Sequence, residues 1–359
     1  MADERVRTKA GGGPLRVPKF PIRSTLILGA AGIAGVTVPM LLMFAGILDN
    51  YTARILAMGG VNAIMAMSVN MIVGITGQLS LGQAGFLAIG AYACIFFNLD
   101  LGLPLPLAAV LATLLTAFAG FLIGFPVLKL SGDYLAIVTL GFGEIIKIVF
   151  INLKNLTGGP NGRQFTTIMA PPNYGRGLFT VTAVLVVTVA LLQNFLRSSY
   201  GRAIMACRED EIAAGSSGID IFRYKMTGFV IAAFIAGMGG SLYAMVNGFV
   251  RPDIAQFLRS IDFLIYVVLG GMGSMTGAIF SAYVLTCLQE ILRFLQDYRL
   301  LIYPLILIFV MLFRPKGLLG TKELSFVGLW NALSGRLGRS GPSRRGVSGR
   351  DSRDGGGGV

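Results

Sequence analysis

Apolar residues in this chain gather into long runs, separated by short polar patches and interrupted by charge at only a few points. Runs of this kind predict helices that cross a membrane. The pattern gives about ten, at roughly 25–48, 53–73, 80–98, 103–127, 134–152, 179–196, 224–247, 259–272, 277–292 and 300–313. Several fall short of the roughly 20 residues that span a bilayer, so re-entrant or broken helices are expected among them. The fold class expected is an all-α polytopic membrane protein. A basic N-terminal tail (1–24) precedes the transmembrane domain (25–320), and a basic Gly/Ser/Arg-rich tail (321–359) follows it.

Basic residues give this reading a direction. An even number of spans places both termini on one side. The N-terminal tail carries six Lys and Arg, the C-terminal tail from Arg314 to Arg353 carries nine, and the 197–225 loop adds Arg197, Arg202, Arg208, Arg223 and Lys225. With Lys129 these outnumber the eight on the other face: Arg54, Lys154, Arg163, Arg176, Arg251, Arg259, Arg293 and Arg299. Positive residues collect on the cytoplasmic side of membrane proteins, so both termini and the central loop are expected in the cytoplasm.

Composition supports the membrane reading. Of the 359 residues 54% are hydrophobic and only 13% are charged, with a mean hydropathy of +0.74. A soluble domain carries about 25% charged residues. The 49 glycines fit helices that associate by close backbone approach in lipid. A net charge of +13 could suggest nucleic acid, but the basic residues crowd the termini and one loop without interleaved aromatics. Cys94, Cys207 and Cys287 are far apart, no histidine is present, and neither a disulfide framework nor a metal site is expected. The first 23 residues are too basic and Gly/Pro-rich to resemble a cleaved signal peptide, and the tail beyond about Trp330 is expected to be disordered.

Two polar interruptions stand out. The first, Gly74–Gly85, contains Gly77, Gln78, Ser80, Gly82 and Gln83 between strongly apolar runs, and the second, Gly270–Gly277, contains Gly271 and Gly273. Irregular backbone at membrane depth survives only where it lines a cavity or is buried in protein, and its freed amides and carbonyls can face a solute. These glycines and polar residues are therefore expected to line a translocation path. Replacing Gly82 by Leu is expected to lower uptake while leaving expression and the binding of partner subunits nearly intact. The plainer alternatives are an exposed turn or small-residue helix packing. A third patch, Thr157–Arg163, falls in the longest external loop.

The central loop, about 197–223, reads as a charged cytoplasmic helix capped by Ser198 or Ser199 and ended between Gly215 and Gly218. Arg208, Glu209, Asp210 and Glu211 form one acidic-basic cluster in sequence, beside Ala213, Ala214 and Gly215. A short helix with small residues and mixed charge suits docking in a groove on another protein. A membrane-surface helix would carry excess Lys/Arg and large apolar anchors instead.

At these residues the sequence closely resembles the branched-chain amino acid ABC transporter permeases, the LivM-like branch of the LivH/LivM family. The matching pieces are Gly74–Phe86, Leu130–Phe142, Leu156–Gly162, Gly201–Asp220, Leu269–Gly277 and Phe313–Leu318. The resemblance implies the permease of an importer in the bacterial inner membrane. Its partners would be a second, LivH-like permease, two ATPase subunits that bind ATP and Mg, and a periplasmic or extracellular binding protein. It maps Gly201, Arg202, Arg208, Glu209, Asp210, Glu211, Ala213 and Gly218 onto the loop that contacts the ATPase. The family also carries urea and short amides.

Other functions fit the residues less well. An ion-coupled transporter needs ionisable groups within the spans; Glu144 with Lys147 one turn on, and Glu290, are the candidates. No filter motif suggests a channel, and no catalytic constellation suggests an enzyme. No phosphate-binding Gly-x-x-x-x-Gly-Lys-[Ser/Thr] loop is present, so ATP hydrolysis is expected in partner chains.

Overall fold

The computed structural model describes residues 49–130, 132–169, 174–294 and 299–313; the expected first span at 25–48 and both tails lie outside them. The described residues are almost entirely helical. Helix α1 (Asn50–Val69) starts on an Asp49 cap and runs into a wide turn at Asn70–Ile75. After an extended stretch come α2 (Gln83–Ile95), continued by Phe96–Asp100, then α3 (Leu105–Val127) and α4 (Asp133–Asn152). A polar connection leads to α5 (Tyr174–Arg197), two short helices α6 (Ser199–Glu209) and α7 (Glu211–Ser216), and the long α8 (Ile221–Asn247). The chain then forms α9 (Phe257–Gly270), α10 (Met275–Ile291) and α11 (Arg299–Phe313).

Seven of these helical segments are long and apolar enough to cross a membrane. They are Asn50–Ile75, Gln83–Asp100, Leu105–Val127, Asp133–Asn152, Tyr174–Arg197, Ile221–Asn247 and Met275–Phe294. The expected span at 259–272 is a helix of 14 residues, short of a full crossing, and of the span expected at 300–313 the described part is the helix Arg299–Phe313. Helices α1, α2 and α8 form the buried centre, with α3, α4 and α5 around them exposing much of their apolar surface. Exposed leucine, isoleucine and phenylalanine on those outer helices suit lipid, which costs nothing to contact.

Glycine makes the centre close-packed. A Cβ added at Gly90 on α2 would collide with the Gly237 backbone of α8, and one at Gly240 with the Leu87 carbonyl of α2. The two helices therefore approach backbone to backbone, as small residues allow in lipid. Ser241 Oγ bridges the same seam, 3.4 Å from the Gly90 carbonyl.

Contacts at the helix ends sort the connections as the charge count does. At one end the Asn70–Ile75 turn, α6 and the turn before α10 meet. At the other, β1 (Arg163–Gln164) pairs antiparallel with β2 (Phe249–Val250), and Arg163 makes a two-pronged ion pair with Asp100 at 2.6 and 2.7 Å. Tyr51, Glu290 and Arg293 also cluster there. Arg259, expected in an external loop, instead lies inside α9.

Gly240→Val is expected to force α2 from α8 and to lower stability by about 1–3 kcal/mol. Gly141→Ala, where an added methyl meets nothing, should leave it unchanged. Thermal unfolding in detergent measures both, and equal melting points would contradict this seam.

Candidate functional site

The first interruption is a break in the helix. Beyond Ile75 the chain turns, with Thr76 N–H and Gln78 N–H donating to the Met71 and Ile72 carbonyls at 3.0 Å, and Gly77 takes φ +72°, a conformation that favours glycine. Helix α2 then starts at Gln83 with Gly82 before it. Around the break, side chains from other elements replace the lost backbone pairing. Thr139 Oγ1 accepts from Leu81 N–H at 3.0 Å, and Ser260 Oγ accepts from Ala84 N–H at 3.1 Å.

The second interruption is a tight turn between α9 and α10. Gly271 and Gly273 have φ of +109° and +87°, and Ser274 caps α10 by accepting from Gly277 N–H at 3.1 Å. Gly270 and Gly277 pack backbone to backbone, so here the small-residue packing alternative accounts for two of the four expected path residues. This turn abuts the first break. Asn70 Oδ1 accepts from Gly273 N–H at 2.8 Å, and a Cβ on Gly74 would lie 2.5 Å from the same nitrogen.

The central loop reaches this junction. It is two helices instead of the one expected, because Asp210 leaves helical geometry and caps α7, its carboxylate accepting from Ile212 and Ala213 N–H at 2.9 and 3.0 Å. Ser198 caps α6 through Gly201 N–H at 3.3 Å, and Gly218 ends the loop at φ +82°. The charged cluster separates accordingly. Arg208 remains exposed, but its Nη1 donates to the Gly74 carbonyl. A Cβ on Gly77 would lie 2.9 Å from its Cγ, and one on Gly273 3.3 Å from its Nη1. A single guanidinium thus touches both interruptions.

The remaining loop residues divide between internal and outward roles. Glu211 pairs with Lys225 at 2.5 Å, Arg202 donates to the Arg197 carbonyl at 2.8 Å, and Gly201 is pressed against Leu196. Glu209 and Ala213 are exposed. Between them projects Ile212, 84% exposed and the most exposed large apolar side chain among the described residues. Sequence reasoning did not single it out, because one apolar residue in a polar stretch is ordinary on a protein surface. Cys207 is buried in the loop, and burial raises its thiol pKa.

Burial with unmet hydrogen bonding marks the first break. Gln78, Ser80 and Gln83 are all buried. Among the described residues, buried side-chain atoms without a partner are Asn70 Nδ2, Ser80 Oγ, Gln83 Nε2 and Gln193 Oε1. Three of these four flank one short stretch. Such groups normally find a protein partner, water or a ligand, so this stretch has unused capacity to meet water or solute. Gly82 and Gly85 serve close packing instead. A Cβ on Gly82 would lie 2.5 Å from the Thr139 carbonyl, and one on Gly85 2.8 Å from Ile146 Cδ1. Gly82→Leu would therefore press on the Thr139 backbone of α4.

Stability separates the two kinds of polar group. Thr139→Val strands the Leu81 amide and should cost about 1–3 kcal/mol. Ser80→Ala removes a hydroxyl with no partner and should leave the melting temperature unchanged or raised. A loss with Ser80→Ala as large as that with Thr139→Val would show that the hydroxyl is already satisfied.

Comparison with known proteins agrees with this geometry. The LivM permease proteins of the high-affinity branched-chain amino acid transport systems of Salmonella typhimurium and Escherichia coli are 41% and 40% identical over 286 residues, covering 71% of this chain and 67% of each relative. The Escherichia coli LivH permease protein of that system is 26% identical, over 75% of this chain and 94% of its own. A solved structure, PsaBC from Streptococcus pneumoniae in complex with Fab, covers 79% of this chain and 95% of its own at 15% identity and a TM-score of 0.43, too low to carry a conclusion. Residues 51–311, which contain both interruptions and the loop between them, match the family described as branched-chain amino acid transport system / permease component, and the chain belongs to that family.

Proposed function

We propose that this chain is the permease subunit of an ATP-driven importer that carries a branched-chain or related amino acid inward across the bacterial cytoplasmic membrane. In this reading it works with a second, LivH-like permease, two ATPase subunits and an external binding protein. ATP and Mg belong to the ATPase subunits; this chain supplies the path and the docking loop. The loop and both termini face the cytoplasm, following the bias of basic residues.

One observation supports the reading: the loop between α5 and α8 is hydrogen-bonded through Arg208 to the first helix interruption and packs through the same guanidinium beside Gly273 of the second. A force applied to α6 and α7 therefore reaches the Gly74–Gly85 stretch without crossing a flexible joint. Glu209, Ile212 and Ala213 form the outward surface on which an ATPase would bear. The ion-coupled alternative loses its main candidate, because Glu144 holds Lys147 at 3.2 Å and accepts from Phe257 N–H at 3.1 Å. A carboxylate with both oxygens engaged is a poor carrier for a proton that must bind and leave.

The test is reconstitution of the chain with its partner subunits and measurement of ATP-dependent uptake of labelled leucine, glutamate and urea. Leucine uptake that stops without ATP is expected, whereas uptake of urea alone, or uptake without ATP, would overturn the reading. Arg208→Ala should retain the ATPase subunits on co-purification yet reduce solute moved per ATP by about tenfold, the worth of one charged hydrogen bond. Arg208→Lys, which can still donate to the Gly74 carbonyl, should recover part of it. Loss of the ATPase in the Arg208→Ala complex would instead make Arg208 a docking residue.

A further inference from the structure

Four charged side chains lie deep within the helical bundle, away from the loop junction. Glu144 follows the start of α4 by eleven residues, roughly 16 Å along the axis, and Lys147 is one turn further. Glu144 Oε1 accepts from the first amide of α9, so α9 begins at that depth, and Arg259 and Asp262 lie in its first two turns. The chain reaches this point by folding inward after β2: the Pro252–Ala255 turn packs against α2 and α4, and Tyr92 hydroxyl donates to the Val250 carbonyl at 3.3 Å. Lys147 pairs with Glu144 at 3.2 Å and Arg259 with Asp262 at 4.0 Å. None is fully enclosed: the side chains of Glu144, Lys147, Arg259 and Asp262 are 36%, 22%, 43% and 29% exposed.

Charge at this depth faces protein or water, because hydrocarbon solvates it poorly. The helix itself shows which side is which. Leu140, Glu144, Lys147 and Ile151 recur at the four- and three-residue steps that put side chains on one stripe, and each is partly exposed. The exposed apolar side chains of α4 are Ile137 and Ile148, adjoining Glu144, and Tyr134, Val138, Ile145 and Val149 further round from the buried face, as a lipid-facing surface should be.

We infer that the Glu144–Lys147 stripe of α4, with Arg259 and Asp262 of α9, lines the water-filled route and is a station for a zwitterionic solute. Two cations and two anions on adjoining elements sum to no net charge. Such a wall offers partners to both the carboxylate and the ammonium of an amino acid, and gives a solute with one net charge no such balance. Because Glu144 also caps α9, Lys147 and Arg259 are the groups free to turn toward a carboxylate. This assignment rests on the proposed importer function and names where in the chain the solute passes.

The test uses the complete importer in proteoliposomes, in a background with Cys94, Cys207 and Cys287 changed to Ala. Single cysteines at Leu140 and Ile151 report the charged stripe, and one at Ile145 reports the lipid stripe. A small, positively charged methanethiosulfonate should modify the first two about tenfold faster than the third, since the charged probe enters water and not hydrocarbon. Equal slow rates would overturn the inference. So would a pattern in which Leu140 and Ile151 cysteines react only when the second permease is left out, since that marks a permease–permease contact. Lys147→Met should also lower leucine uptake several-fold with Lys147→Arg retaining it; full uptake by Lys147→Met and by Arg259→Met would overturn the solute's part. If the wild-type complex takes up no leucine, the labelling ratio still decides whether the stripe lines the route, so the two failures are distinct.

Discussion

A backbone carbonyl freed where a helix breaks has to find a donor, and at Gly74, near one end of the bundle, the donor is Arg208. Everything specific about this chain depends on that constraint. The glycine-rich stretch after α1 cannot continue as a helix, so its backbone groups are left without their usual partners. Thr139 and Ser260 take two of the amides, Asn70 holds the neighbouring turn by its Gly273 amide, and the guanidinium closes the set. Substituents larger than hydrogen at Gly74, Gly77 or Gly82 would each collide with one of these partners or its backbone. The break is therefore a defined structure, built from α4, α6, α9 and the turn before α10.

That construction links the loop to the break. A surface loop would ordinarily transmit little, because polar connections at a bundle's end move independently of the helices. Here α6 is fastened at its start by the Ser198 cap and the pressed Gly201, and at its end by Arg208. Helix α7 is held to α8 by the Glu211–Lys225 pair. What stays unfastened is Glu209, Ile212 and Ala213, the side turned away from the bundle. The inward contacts hold both short helices to the bundle and leave their outward surface free, an arrangement that suits the docking loop proposed above.

Much of this could be read in the sequence, and the part that could not has a common cause. The long apolar runs, the two glycine interruptions and the capped loop were legible because each is a local pattern. The separate fates of Arg208, Asp210 and Glu211 were not. Adjacent residues on a helix point about 100° apart, and the partner of Arg208 lies 134 residues away in the chain. The shortness of α9 was visible only as a short run. Its cause, an amide cap from Glu144 across 113 residues, was not. Gly82 read as a path residue because flexibility and close packing call for the same amino acid; only the Thr139 carbonyl beside it tells them apart.

The central claim is that the loop and the two interruptions move as one body. Spin labels at Ser216 on α7 and at Met272 in the turn before α10 occupy exposed positions on the two parts. Pulsed electron resonance then gives the distance between them in the assembled importer, with and without ATP. If Arg208 joins the parts, the distance should hold within about 2 Å through the cycle, the scale of small helix adjustments. A change of about 5 Å or more, the scale of one element ratcheting past another, would contradict it.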